Sequence, residues 1–241
     1  MSGHSHFSTI KHKKAITDQK RGQIFSKLAR KITIAAREKG GDPKANPSLR
    51  LAIDQARAFN MPSKNIERAI ERGTGELEAE VLQEVVCEAY GPAGIAVIIE
   101  AITDNKNRTL NEIKQILNQN NGKLADPGSV KWLFERKGVV TIEEEVLEDK
   151  EDLELKAIEA GAEDLYWHDE NTLDVYSKIE DLEKVKENLQ NQGVKIGPAS
   201  LDWVAKNEIE IEEKDKKSCQ KLFEALDEND GVQEIYSNLK T

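Results

Sequence analysis

The chain has 241 residues, of which 38% are apolar and 33% charged, with six prolines, fifteen glycines and two cysteines. That length allows one large or two to three small globular domains, and no apolar run approaches the roughly 18 residues of a membrane span. The net charge of −10 is unevenly spread: residues 1–75 hold 16 Lys/Arg against 6 Asp/Glu, and residues 76–241 hold 19 against 39. Such a split points either to a polyanionic partner for the basic third or to docking of that third on the acidic remainder. Cys87 and Cys219 lie far apart with no C-x-x-C pattern, which suits a reducing cytoplasm and argues against a disulfide framework or a zinc site. The N-terminus is polar and basic rather than apolar as in a secretory leader, so the expected location is the cytoplasm.

The chain opens with MSGHSHFSTIKHKKAIT, which contains no carboxylate. Residues 3–14 mix Gly, Ser, Thr, His and Lys and have few apolar anchors, so this arm cannot fold by itself. It can order on a phosphate backbone, where lysines, hydroxyls and backbone N–H groups find acceptors. Phe7 can stack on a base or pin the arm to the protein's own core. His4, His6 and His12 have no neighbouring Cys or carboxylate to complete a metal set, and no metal or cofactor is expected.

A helix is predicted from a cap at Asp18 to about Lys39, stopped by Gly40-Gly41. Ile24, Leu28, Ile32 and Ala35 share one face. Lys20, Lys27, Arg30, Lys31 and Arg37 fall on the other, a basic stripe about 30 Å long. Asn46 and Pro47 open a second helix, SLRLAIDQARAFN, and PSKNIERAIERG forms a third that stops at Gly73. Three helices with short turns make a small bundle over residues 1–75. GTGE (73–76) reads as a linker.

From residue 80 the pattern turns to strands and helices. Strands are predicted at 83–90, 95–102, 130–135, 138–142, 163–167, 172–177, 199–205 and 232–237. Helices are predicted at 109–120, 151–161, 181–192 and 215–228. Residues 137–205 thus give the β-α-β-β-α-β order of a ferredoxin-like unit. The remainder, 76–136 and 206–241, again has four strands and two helices. The expected architecture is α+β in three domains: the N-terminal three-helix bundle and two ferredoxin-like α/β domains, the last inserted into the other. GKLADPGSVKWL (122–133) also matches GVKIGPASLDWV (193–204) at a constant offset, with Gly, Pro, Ser and Trp identical, which reads as an internal duplication.

No phosphate-binding, dinucleotide, nucleophile-elbow or H-E-x-x-H motif is present, and the carboxylate runs read as solvated surface. An enzyme is therefore not expected. The expected nucleic-acid contacts are Lys11, His12, Lys13 and Lys14 on the arm, then Lys20, Arg21, Lys27, Arg30 and Lys31 on the first helix. Lys106 and Arg108, in TDNKNRT (103–109) beside a helix expected to open with the capping box Thr109-x-x-Glu112, form a secondary anion site. Helices two and three are joined by a short turn, yet Arg57, Lys64, Arg68 and Arg72 are offset by Asp54, Glu67 and Glu71, so no helix-turn-helix signature stands out.

Several stretches resemble the YebC/PmpR family in order along the whole chain: GHS (3–5), IKHKK (10–14), KRG (20–22), GGDPKANPSLRLAI (40–53), NMPSKNIERAIERG (60–73), YGPAG (90–94), TDNKNRT and GSV-x-x-LF (129–134). His6 and Phe7 stand where many relatives have Lys and Trp; both remain compatible with phosphate contact and stacking. The resemblance extends to the mitochondrial translational activator of cytochrome oxidase subunit one. It implies a helical N-terminal domain followed by two α/β domains. It also implies one of two roles: a regulator of transcription that binds DNA, or a ribosome-associated factor that binds large-subunit ribosomal RNA and relieves stalls. The expected partners are DNA or ribosomal RNA, with the ribosome as a further candidate and no membrane, and the expected state is a monomer.

Overall fold

The computed structural model describes residues 18–78, 80–143 and 149–240, with side chains from Arg21 onward. Three helices come first: α1 (Asp18–Lys39), α2 (Pro47–Ala58) and α3 (Ser63–Thr74). Their apolar positions close one core, Leu28, Ile32, Ala35 and Ala36 from α1 against Leu49, Ala52, Ile53 and Ala56 from α2 and Ile66 and Ala69 from α3. Asn46 caps α2 by accepting from the Leu49 N–H at 3.1 Å. Its amide also donates to the Ala35 and Gly40 carbonyls at 2.7 and 2.9 Å. One fully buried side chain therefore terminates α1 and starts α2. Gly73 belongs to this packing and not to a linker. A methyl group there would collide with the Thr33 carbonyl and the Ala36 side chain, so only glycine lets α3 cross α1 this closely. The helix runs one residue further, to Thr74, and Gly75 at φ +84° ends it.

Beyond residue 82 the elements in order are β1 (Gln83–Tyr90), β2 (Ala96–Thr103), α4 (Lys106–Gln119), β3 (Lys123–Leu124), β4 (Phe134–Glu143), α5 (Lys150–Ala160), β5 (Asp164–Trp167), β6 (Thr172–Ser177), α6 (Leu182–Asn191), β7 (Ile196–Ala205), α7 (Glu213–Asp227) and β8 (Val232–Ser237). They form two four-stranded sheets, ordered β3-β1-β2-β8 and β5-β6-β4-β7. The chain leaves the first compact unit after Phe134, builds the second from 135 to 204, and returns to the first at Ala205. The bundle, the first sheet, α4 and α7 belong to the first unit.

In the first sheet, β1 and β2 pair from Gln83↔Thr103 to Tyr90↔Ala96 across the turn Pro92–Gly94. Alternate residues Val85, Cys87 and Ala89 of β1 and Val97, Ile99 and Ala101 of β2 pack with Ile113 and Leu117 of α4 and Cys219, Leu222 and Leu226 of α7, as a two-residue side-chain period requires. Both cysteines are free and buried, and burial pushes each thiol up to about 11. They fill core space and are poor nucleophiles at neutral pH.

Three local expectations change. The strands expected at 130–135 and 138–142 are one strand, β4, preceded by a tight turn at Lys131–Leu133. The sheet's further strand is β3, only two residues long and too short for periodicity to reveal. Helix α4 starts three residues before Thr109, because Asn105 caps it by accepting from the Arg108 N–H. Thr109 instead turns inward, its hydroxyl bonded to that of Thr103. The matched segments 122–133 and 193–204 also fold differently: the first is β3 and an irregular loop, the second mostly strand β7.

That irregular loop is tied down by Glu88 of β1. Its carboxylate, only 7% exposed, accepts from the backbone N–H groups of Gly128, Val130 and Lys131 at 2.6, 2.7 and 2.8 Å. Burial pushes the carboxyl up. The three N–H donors and the Lys131 charge outweigh it and hold the group below its ordinary range.

In the second unit, β6 lies between β4 and β5, with registers Val140↔Val175 and Leu165↔Val175. Buried Leu153, Ala157 and Ala160 of α5 and Leu182, Val185 and Leu189 of α6 supply its helical core face. Asp174, fully buried, accepts from the Thr141 hydroxyl at 2.8 Å and pairs with His168 Nε2 at 2.7 Å, so the buried carboxylate is compensated.

Replacing Glu88 by Gln should lower stability at neutral pH by about 2–3 kcal/mol, because the amide can accept from no more than part of the three-donor cradle. A carboxyl held low contributes stability that is complete above its unfolded value of about 4.3 and lost as pH falls through the lower folded value. Urea unfolding at pH 7 and again on acidification should therefore show the gap between wild type and Glu88→Gln narrowing as the pH drops.

Candidate nucleic-acid interface

The basic stripe of α1 does not face open solvent along its length. Lys27 Nζ donates to the Asp227 carboxylate at 2.8 Å and to the Asp227 carbonyl at 2.7 Å. Arg30 donates to the Asp230 carbonyl, and Lys31 pairs with the Glu234 carboxylate. The acceptors sit at the end of α7, in the following turn and on β8. Side-chain exposure is 15% and 33% for Lys27 and Asp227, and 24% and 19% for Lys31 and Glu234. These pairs are half out of water, where screening is weaker than on an open surface. Three of the cations read from the sequence as nucleic-acid contacts are thus held by the chain's own acidic C-terminal segment.

The other candidates lie as follows. Lys11, His12, Lys13 and Lys14, with the arm's histidines and Phe7, lie outside the described residues, as does the side chain of Lys20. Arg21 is exposed near the start of α1. Arg108 is paired with Asp104 at 2.6 Å and lies 4.0 Å from Glu112. Its charge is largely compensated by its own loop, while Lys106 stands exposed at the head of α4.

The row on α3 carries less compensation than its composition implies. Ile66, Ala69 and Gly73 turn inward, leaving Lys64, Arg68 and Arg72 exposed. Successive members are one turn apart, so the row spans about 12 Å. The close crossing at Gly73 sets the exposed Arg37 of α1 beside its end. None of these four cations is drawn into an ion pair among the described residues. Glu67 and Glu71 stand on the same helix but do not pair with them, which counting charges along the sequence could not show. The one available signal was the i, i+4, i+8 spacing of the cations themselves. Exposed cations at one-turn spacing are suited to successive phosphates of a polyanion.

Among the described residues, no group of three or more His, Cys, Asp or Glu is placed to hold a metal ion. No helix among them is long and apolar enough to cross a membrane.

Residues 5–76 match the family model of the TACO1/YebC protein N-terminal domain, and residues 82–239 that of the TACO1/YebC second and third domain. The chain belongs to the TACO1/YebC family. It is 50% identical over 240 residues to a protein of Chloroherpeton thalassium named "Probable transcriptional regulatory protein", covering 100% of this chain and 96% of that one. A protein of the same name from Pelodictyon phaeoclathratiforme is 49% identical, with the same shares covered. One from Caldanaerobacter subterraneus subsp. tengcongensis is 47% identical, covering 100% of this chain and 98% of its own. The crystal structure of a conserved hypothetical protein from Aquifex aeolicus has a TM-score of 0.89 and 44% identity, covering 98% of this chain and 97% of that chain.

A double-mutant cycle on Lys31→Ala and Glu234→Ala should give a favourable coupling of about 1 kcal/mol in urea unfolding, because the pair is partly buried and links distant segments. Strictly additive losses would mean that the contact contributes nothing to stability.

Proposed function

We propose that this protein is a non-enzymatic, nucleic-acid-binding regulator of gene expression. The observation that carries the reading is the exposed row Lys64, Arg68 and Arg72 with Arg37 beside it, on the one strongly basic module of an otherwise acidic chain. Phosphate recognition needs cations that are not already neutralised, and these four meet that requirement. The arm residues Lys11, His12, Lys13 and Lys14, with Lys20 and Arg21, extend the proposed contact. Lys27, Arg30 and Lys31 join it only where phosphate replaces Asp227, Asp230 and Glu234. Lys106 is a minor contributor in this reading, and Arg108 a structural one.

The name borne by the relatives favours DNA as the target. A second reading is a ribosome-associated translation factor that binds large-subunit ribosomal RNA. The charge balance favours it: a body with 19 basic and 39 acidic residues repels nucleic acid everywhere except at the intended contact, which suits crowded RNA surroundings. In either case the protein acts in the cytoplasm as a monomer.

Crosslinking in living cells, followed by sequencing of the attached nucleic acid, separates the two. A few promoter sequences would support transcriptional control, and one discrete ribosomal RNA locus would support the translational role. Recovery of neither above background would overturn the proposal. In vitro, replacing Lys64, Arg68 and Arg72 by Gln should make the log–log salt dependence of binding shallower by about 2–3. Replacing Lys11, Lys13 and Lys14 by Ala should weaken binding about tenfold or more. Both variants should melt like the wild type, since the row is exposed and the arm has few apolar anchors.

A further inference from the structure

The loop between β3 and β4 presents an indole to solvent on a rigid mount. Trp132 is 66% exposed, yet its neighbours Val130 and Phe134 are buried at 0% and 3%. The loop backbone is held by the three N–H bonds to the buried Glu88 carboxylate. The indole N–H donates to the Ser129 carbonyl at 2.9 Å, and the Tyr90 hydroxyl reaches the same carbonyl at 3.4 Å. Two aromatic side chains are thus tied to one backbone oxygen. Exposing an indole forgoes the burial that usually makes tryptophan stabilising. Here the exposure is imposed by the surrounding bonds and does not come from slack in the loop.

The chemistry of the exposed group narrows what it can meet. Its only donor is already bound, so what remains is a flat π surface with no hydrogen-bond preference. Three lysines lie on the loop or beside its ends. Lys123 is held with its ammonium 5.5 Å from the centre of the Tyr90 ring. Lys131 adjoins the indole in sequence, and the Lys206 backbone N–H bonds the Leu133 carbonyl at 2.9 Å. All three lysines are exposed, with Asp126 as the loop's one carboxylate. On a body of strongly negative balance, these lysines set exposed positive charge on the segments that carry the aromatic face. An exposed flat ring with lysines on its own and adjoining segments fits a nucleobase with its adjoining phosphates. Stacking requires an unpaired base, because a duplex buries its base faces.

We propose that the loop 125–133 is a stacking platform for an unpaired base of single-stranded nucleic acid, with Trp132 as the stacking face and Lys123 and Lys131 as phosphate contacts. The inference rests on the nucleic-acid-binding reading above and adds a second, strand-selective contact on the α/β portion of the same unit.

The test uses the full chain and two labelled probes, a single-stranded RNA of about twelve nucleotides and a blunt RNA duplex of the same length, followed by fluorescence anisotropy. Trp132→Ala should bind the single strand about 5- to 100-fold more weakly than the wild type while its duplex affinity stays unchanged. Trp132→Phe should recover most of the single-strand affinity, since it keeps a π face. A wild type that binds the single strand and a Trp132→Ala variant that matches it would overturn the platform alone, leaving the indole to face a protein. Equal losses on both probes would overturn it too, as a general effect on charge or folding. A wild type that binds neither probe would overturn the platform and, with it, the RNA form of the nucleic-acid reading.

Discussion

The contact between α1 and the chain's last helix and strand constrains the rest of the molecule. Lys27, Arg30 and Lys31 are gripped by Asp227, Asp230 and Glu234, so the first helix serves two masters. One face closes the bundle with α2 and α3, and the other is fastened to the edge of the first sheet. That arrangement decides which positive charges are occupied and which remain available. A simple charge map would assign the whole first helix to a polyanion. The bonded geometry moves the available charge to α3 and to the end of α1, beside the glycine that permits their close approach.

The same economy of local constraints shapes the α/β portion. One carboxylate on β1 collects three backbone N–H groups of an irregular loop and converts it into a fixed mount. One asparagine side chain, fully buried, closes α1 and opens α2. These polar groups are tolerable in the interior because their partners are supplied in full. They also explain why segments with little periodicity nonetheless have a defined shape.

Much of this architecture was legible in the sequence. The helical stripe of Ile24, Leu28 and Ile32, the Asn46-Pro47 opening of α2, the β1–β2 hairpin and the order of elements in the inserted unit all follow from local pattern and turn chemistry. What was not legible depends on distance or on a single atom. A two-residue strand has no period to detect. Gly73 looks like a helix terminator until the helix beside it is known. The partners of Lys27 and Lys31 lie about 200 residues away, and the sequence offers 45 Asp/Glu from which to choose. Charge counting identifies an attraction but not its address. Conversely, Lys64, Arg68 and Arg72 looked neutralised by Glu67 and Glu71, and only side-chain geometry separates them. Of the candidate site, the basic character of the first module was readable, and the division between gripped and exposed cations was not.

The grip on α1 has a consequence for how the protein is made. Its two halves are separated by about 200 residues, so the contact cannot close until the second has been synthesised. At about 5–20 residues per second, the roughly 200 residues between Lys27 and Asp227 take about 10–40 s to emerge. The core that the three helices share is drawn from residues before 75. Throughout that interval the cationic edge of α1 lacks the carboxylates of Asp227 and Glu234, and it is covered only once they emerge.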